Sequence, residues 1–102
     1  MPAFSLIKLS DTSYFVEGDL TFFTLNKKTI KSFNFLNVTK KICIDLEKVT
    51  SADSAGLALM VEWIKHSKLH STKLTFKNIP QQLLTLAKLS DFDLQEFSTD
   101  FS

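Results

Sequence analysis

Between Lys41 and Met60 the chain changes its hydrophobic period once, and that change limits what it can fold into more than any other feature. Lys41-Ile42-Cys43-Ile44-Asp45-Leu46 is a short, mostly apolar run. It has the pattern of a central strand covered on both faces. From Ser54 to about Leu69 the apolar residues recur at helical spacing instead. Leu57, Met60, Val61 and Ile64 form one stripe, and Glu62, Lys65 and His66 face elsewhere. A short polar loop joins the two and presents Asp53 and Ser54 at a helix N-terminus. A strand entering a helix in this way predicts an α/β architecture with parallel crossovers.

The flanking segments extend the pattern. Phe4 to Leu9 and Ser13 to Glu17 read as two strands, with Ser10-Asp11-Thr12 as a hairpin turn and Gly18-Asp19 ending the second strand. Leu25, Thr29, Phe33 and Leu36 recur at helical spacing, which predicts a helix from about Thr24 to Leu36. Lys73 to Lys77 is a further strand. Pro80 sits where the first turn of a helix favours it, after Asn78 as a capping residue, and that helix runs to about Ser90. Leu94 to Phe97 is compatible with a last strand. The expected fold is a mixed β-sheet, an opening antiparallel hairpin followed by parallel strands, with helices packed on it. The whole chain, 1–102, is read as a single domain, a length that suits one hydrophobic core.

Composition removes several classes of function. The apolar fraction of 44% and charged fraction of 23% are those of an ordinary globular protein. A net charge of +1, with lysines spread along the chain and no arginine, gives no electrostatic footprint for nucleic acid. Without arginine there are also no bidentate forks for phosphate. The single cysteine, Cys43, cannot form an internal disulfide; this suits a reducing cytoplasm, and its place in an apolar strand predicts a small buried hydrophobe. Neither a secretory signal nor a membrane-spanning run is expected.

Four roles fit the Asp53-Ser54 turn on residue chemistry. Either side chain can cap the helix by accepting from an unpaired N–H. The helix N-terminus favours anions, so the Ser54 hydroxyl suits phosphorylation. Catalysis by Ser54 needs a base within hydrogen-bond reach. The only histidines, His66 and His70, lie some 18 Å or more along the helix at ~1.5 Å per residue. They have the i, i+4 spacing of a ligand pair, but Ser67 stands where a zinc-protease motif needs Glu, and no metal site is expected. The fourth role is docking. Leu59 and Trp63 form a separate ridge one turn apart beside the loop, and such a ridge serves either as core rim or as a partner-binding hot spot.

These residues together resemble the STAS domain family. The resemblance is carried by Gly18-Asp19-Leu20, Cys43-Ile44-Asp45-Leu46, Asp53-Ser54-x-Gly56-Leu57-Ala58-Leu59 and Thr85-Leu86-Ala87-Lys88-Leu89, in order from about Ser10 to Phe92. The last block and Cys-Ile-Asp-Leu look most like the family's MlaB-like branch, the small STAS subunits of phospholipid-transport ABC systems. The resemblance implies a cytoplasmic, non-enzymatic subunit without a cofactor. It would bind the transporter's ATPase (MlaF-like) and through it the permease, without inserting into the membrane. It would support the complex that maintains outer-membrane lipid asymmetry. The partner-binding residues it implies are Thr50, Ser51, Asp53 and Ser54, with Leu59 and Trp63 as apolar anchors and Leu83 to Lys88 flanking them. In that branch the position of Ser54 carries a functionally important Thr, whose hydroxyl Ser retains. The family's anti-sigma-factor antagonists imply the alternative, since their phosphorylated serine directly follows the loop Asp and again matches Ser54. Ala55 matches neither branch.

Overall fold

The computed structural model describes residues 5–21 and 41–98. A four-stranded sheet has the order β1-β2-β3-β4, with β1 Ser5–Lys8, β2 Ser13–Leu20, β3 Lys41–Ala52 and β4 Lys73–Lys77. β1 pairs antiparallel with β2, and β2, β3 and β4 are mutually parallel. Helix α1 (Ser54–Leu69) links β3 to β4, and α2 (Gln81–Leu89) follows β4. The mixed sheet with an opening hairpin is thus the one its sequence pattern predicts. The helix expected over Thr24 to Leu36 lies outside the described residues.

Backbone pairing overrides side-chain polarity in two places. β2 does not end at Gly18-Asp19, and β3 does not end at Leu46. Gly18 pairs with Val49, Asp19 with Ser51 and Leu20 with Ala52, so both strands run on together through a polar stretch. Two register shifts, each giving β3 one extra residue, make this possible, and Gly18 has a φ of 97°. Such bulges bend a strand and re-aim the residues after it. The expected loop is therefore mostly strand, and Asp53 alone separates β3 from α1.

The core lies between the helices and one face of the sheet. Val16 and Leu20 of β2, Ile42, Ile44 and Leu46 of β3 and Leu74 and Phe76 of β4 are buried there. Alternation along β3 leaves Cys43 and Asp45 half-buried on the opposite face. The strand is therefore fully covered on one face rather than two, and Cys43 is not a core residue. The expected last strand is a 3₁₀ turn, Leu94–Phe97, followed by one parallel bridge from Ser98 to Phe76. Leu94 is buried and Phe92 stacks on Phe97 with centroids 6.3 Å apart, so this segment serves as a lid of apolar side chains.

The apolar stripe of α1 is broader than expected and rotated by roughly 70°. Gly56, Leu57, Leu59, Met60, Trp63, Ile64 and Ser67 are buried, and Val61 is only half-buried. Small residues mark the line of closest approach. A Cβ on Gly56 would lie 2.6 Å from the Leu20 carbonyl oxygen and 2.9 Å from Leu20 Cβ. Ser67 satisfies its buried hydroxyl by donating to the Ile64 carbonyl at 2.7 Å. Leu59 and Trp63, expected as exposed anchors, are 0% and 1% exposed. Trp63 stacks towards Phe76 of β4 at 6.4 Å. The ridge is core, because the helix sits with its glycine face down on the sheet.

Substituting Gly56→Ala forces α1 away from β2. The expected loss is about 1–3 kcal/mol, the usual range for overpacking, read as a lower urea midpoint with an unchanged slope.

Candidate functional site

The site is built at the carboxyl ends of the parallel strands, where open α/β sheets gather the N-termini of their helices. Asp53 has an extended backbone, and its carboxylate accepts a hydrogen bond from the Ala55 N–H at 2.9 Å. Its own carbonyl accepts from Gly56 N at 3.0 Å and Leu57 N at 3.3 Å. Of the two capping candidates, Asp53 is therefore the cap. Ser54 is the first helical residue, exposed, and its hydroxyl makes no hydrogen bond among the described residues.

The Gly18-Asp19-Leu20 segment supports this turn from below. The Leu20 carbonyl accepts from Asp53 N at 3.1 Å, which ties the start of α1 to β2. The Thr50 hydroxyl donates to the Asp19 carboxylate. From the other side, Gln82 Oε1 accepts from Ala52 N at 3.2 Å. An open depression runs from Asp53 and Ser54 to Gln81, Gln82, Thr85 and Leu86 at the start of α2. The structure therefore gathers Thr50, Ser51, Asp53 and Ser54 at one end of the sheet beside α2, and withdraws Leu59 and Trp63 into the core. Leu83 and Ala87 are also buried, so α2 offers Gln82, Thr85, Leu86 and Lys88 rather than a continuous strip. Sequence reasoning missed Gln82, whose role depends on a tertiary contact.

Asn78 does not cap α2, whose N-cap position is Pro80, just before the helix rather than in its first turn. It takes a φ of 56° and donates its amide to Asp45 Oδ1 at 3.0 Å. His66 in the last turns of α1 and His70 at its C-cap lie twelve and sixteen residues from Ser54, about 18 Å or more at ~1.5 Å per residue. Their rings are 4.4 Å apart between centroids. No group of three metal-ligating side chains occurs among the described residues. Burial, and then the neighbouring His70, hold the His66 pKa below its ordinary 6.5. These two effects outweigh the helix C-terminus, which favours a protonated imidazole.

Two measurements check this geometry. Asp53→Ala removes the cap and is expected to destabilise the fold by about 1 kcal/mol. Ser54→Ala leaves the urea midpoint nearly unchanged. A depressed His66 pKa contributes stability that is present above pH 6.5 and lost as pH falls through the folded-state value. Removing the neighbouring charge with His70→Gln should move the His66 imidazole titration, followed by NMR, back up towards 6.5.

Comparison with known proteins agrees with this geometry. A family model described as "Mlab, STAS domain" matches residues 16–94. Two curated relatives are similar, the intermembrane phospholipid transport system binding protein MlaB of Escherichia coli (strain K12) and that of Shigella flexneri. Each is 38% identical over 47 residues, 46% of this chain. The matched region spans about half the length of those relatives, 48%. Among solved structures, the unphosphorylated anti-sigma factor antagonist SpoIIAA superposes with a TM-score of 0.62 at 16% identity. That superposition covers 98% of this chain and 89% of SpoIIAA, a likeness of fold. With a family model spanning most of the chain and a mixed sheet that presents a capped Asp-Ser turn, the chain belongs to the STAS domain family.

Proposed function

We propose that this chain is a non-enzymatic STAS subunit of an Mla-type phospholipid-transport ABC system. It docks on the transporter's ATPase through Thr50, Ser51, Asp53 and Ser54. The observation that carries the reading is the similarity to MlaB, named for intermembrane phospholipid transport, combined with an exposed Ser54 hydroxyl at the tip of a rigidly braced turn. Thr50, Asp19, Leu20 and Gln82 hold that turn in place, so little conformational entropy is lost when a partner settles on it. Thr85 and Leu86 of α2 extend the surface across the same depression.

The physical action of such a subunit is linkage. Binding only the folded ATPase stabilises it by mass action, and binding one of its conformations better than another shifts its cycle. Localisation follows from the partner: the chain is held in the cytoplasm at the inner membrane through the ATPase and permease. No described helix is long and apolar enough to cross a membrane. The distance from Ser54 to either histidine favours docking over hydrolysis as its use.

A second reading rests on the same exposed hydroxyl. Phosphorylation of Ser54 would place a dianion at the helix N-terminus, where the dipole favours it. The neighbouring Asp53 carboxylate, already spent on the Ala55 N–H, opposes that charge. The chain would then act as an anti-sigma-factor antagonist switched at Ser54.

Co-purification with the ATPase encoded in the same operon tests the first reading. Ser54→Glu combined with Thr85→Glu is expected to weaken the complex by at least about ten-fold, or 1.4 kcal/mol, with the far-ultraviolet circular dichroism unchanged. Undiminished binding would sink the docking surface. Phosphate on Ser54 in cells, detected by mass spectrometry, would move the assignment to the switch. Trp63 is unsuitable as an interface probe, because its removal opens the core.

A further inference from the structure

His66 and His70 are the only histidines of the chain, and the proposed docking surface does not use them. They stand one turn apart at the end of α1, His66 half-buried and His70 exposed at the C-cap. Spacing of i, i+4 puts two side chains on one helix face, the arrangement by which a pair of histidines grips a single metal ion. Their ring centroids are 4.4 Å apart. With metal–nitrogen bonds of about 2.0–2.1 Å, two imidazoles at right angles on one ion have centroids about 4.5 Å apart, whereas a tetrahedral angle spreads them to about 5.2 Å. The rings as they stand therefore have the spacing of a right-angled chelate.

The surroundings of the pair suit a cation. The flanking lysines of α1 have other partners: Lys65 pairs with Glu62 at 3.5 Å, and Lys68 Nζ lies over the Phe97 ring, 5.4 Å from its centroid. Glu62 lies one turn before His66, so Glu62, His66 and His70 follow one another along a single face of the helix. Its ion pair with Lys65 is exposed, and a contact of that kind is weak and readily exchanged for a metal. Burial and the neighbouring His70 already favour the neutral His66 imidazole, the form that coordinates.

We infer that His66 and His70 form a chelating site for one divalent transition-metal ion, with water or the Glu62 carboxylate in the remaining positions. Right-angled nitrogen and oxygen ligands suit the tetragonal geometry of Cu2+ or Ni2+ better than tetrahedral Zn2+. Of these ions Cu2+ binds most tightly. The ion ties the last turns of α1 to the C-cap residue, from which the chain turns through Ser71, at a φ of 56°, towards β4. It acts as a staple on the end of α1. An unfolded chain does not hold the two rings together, so the ion stabilises the folded one by mass action. The site is about 18 Å or more from Ser54 along the helix, and metal binding leaves the docking turn unobstructed.

Calorimetric titration of the untagged full chain with Cu2+ and with Ni2+ tests this. One ion should bind per chain, and the electron paramagnetic resonance spectrum of the Cu2+ form should show coupling to two imidazole nitrogens. His70 is exposed, so His70→Gln should stay folded by circular dichroism. It should weaken binding by at least about ten-fold, since even a lost contact that only supports a ligand costs that much. His66→Gln with His70→Gln should abolish binding. Saturating Ni2+ should raise the urea midpoint of the wild-type chain and leave that of the double variant where it was. Cys43→Ser, on the face of the sheet away from the helices, should leave the affinity intact. Equal affinity in the wild-type chain and His70→Gln would overturn the site, as would a urea midpoint that Ni2+ does not move. One ion per two chains would also overturn it, giving the histidines to a bridge between copies.

Discussion

The close approach of α1 to β2 at Gly56 is the contact on which the rest of the structure depends. With only a hydrogen facing the Leu20 carbonyl, the helix N-terminus settles within van der Waals reach of the strand backbone. That contact sets the rotation of the helix. The rotation then decides that Leu59, Trp63 and Ser67 face inwards, and Trp63 reaches across to Phe76 on β4. It also places Asp53 where its backbone N–H meets the same Leu20 carbonyl. One missing methyl group thus links the core, the register of the helix and the functional turn.

The short Gly18-Asp19-Leu20 segment takes on a definite physical meaning in this setting. Gly18 adopts the positive φ at the register shift, Asp19 accepts from Thr50, and Leu20 supplies both the carbonyl and the side chain that receive α1. Each residue of the motif braces the Ser54 turn, Gly18 and Leu20 from buried positions and Asp19 from a half-buried one. Rigidity at that turn suits recognition, because a partner meets a surface that is already ordered. The turn therefore combines an exposed hydroxyl with a backbone that is tied down on three sides.

Much of the fold was legible from periodicity alone. The β1–β2 hairpin, α1, β4 and α2 fall where the apolar spacing and turn residues put them, because local patterns report which face of an element must leave water. The misreadings share one cause. Glu47 to Ala52 looked like a loop because its side chains are polar, yet its backbone completes a parallel ladder with β2. Leu59 and Trp63 looked like an outer ridge because the stripe was weighted by apolar residues, while the helix orients by its small ones, Gly56 and Ser67. Leu94 to Phe97 has strand composition but closes over α2 as a 3₁₀ turn.

The sequence by itself determined the α/β order and a capped helix start at Asp53-Ser54, though not which of the two side chains is the cap. These follow from hydrogen bonds and hydrophobic periods spanning a few residues. Only the tertiary structure decided which apolar residues are core. It also decided that Gln82 and Asp19 brace the turn. Those outcomes depend on how far apart two backbones settle and how a helix is turned about its axis. Both are set by packing between elements that the order of residues along the chain does not display.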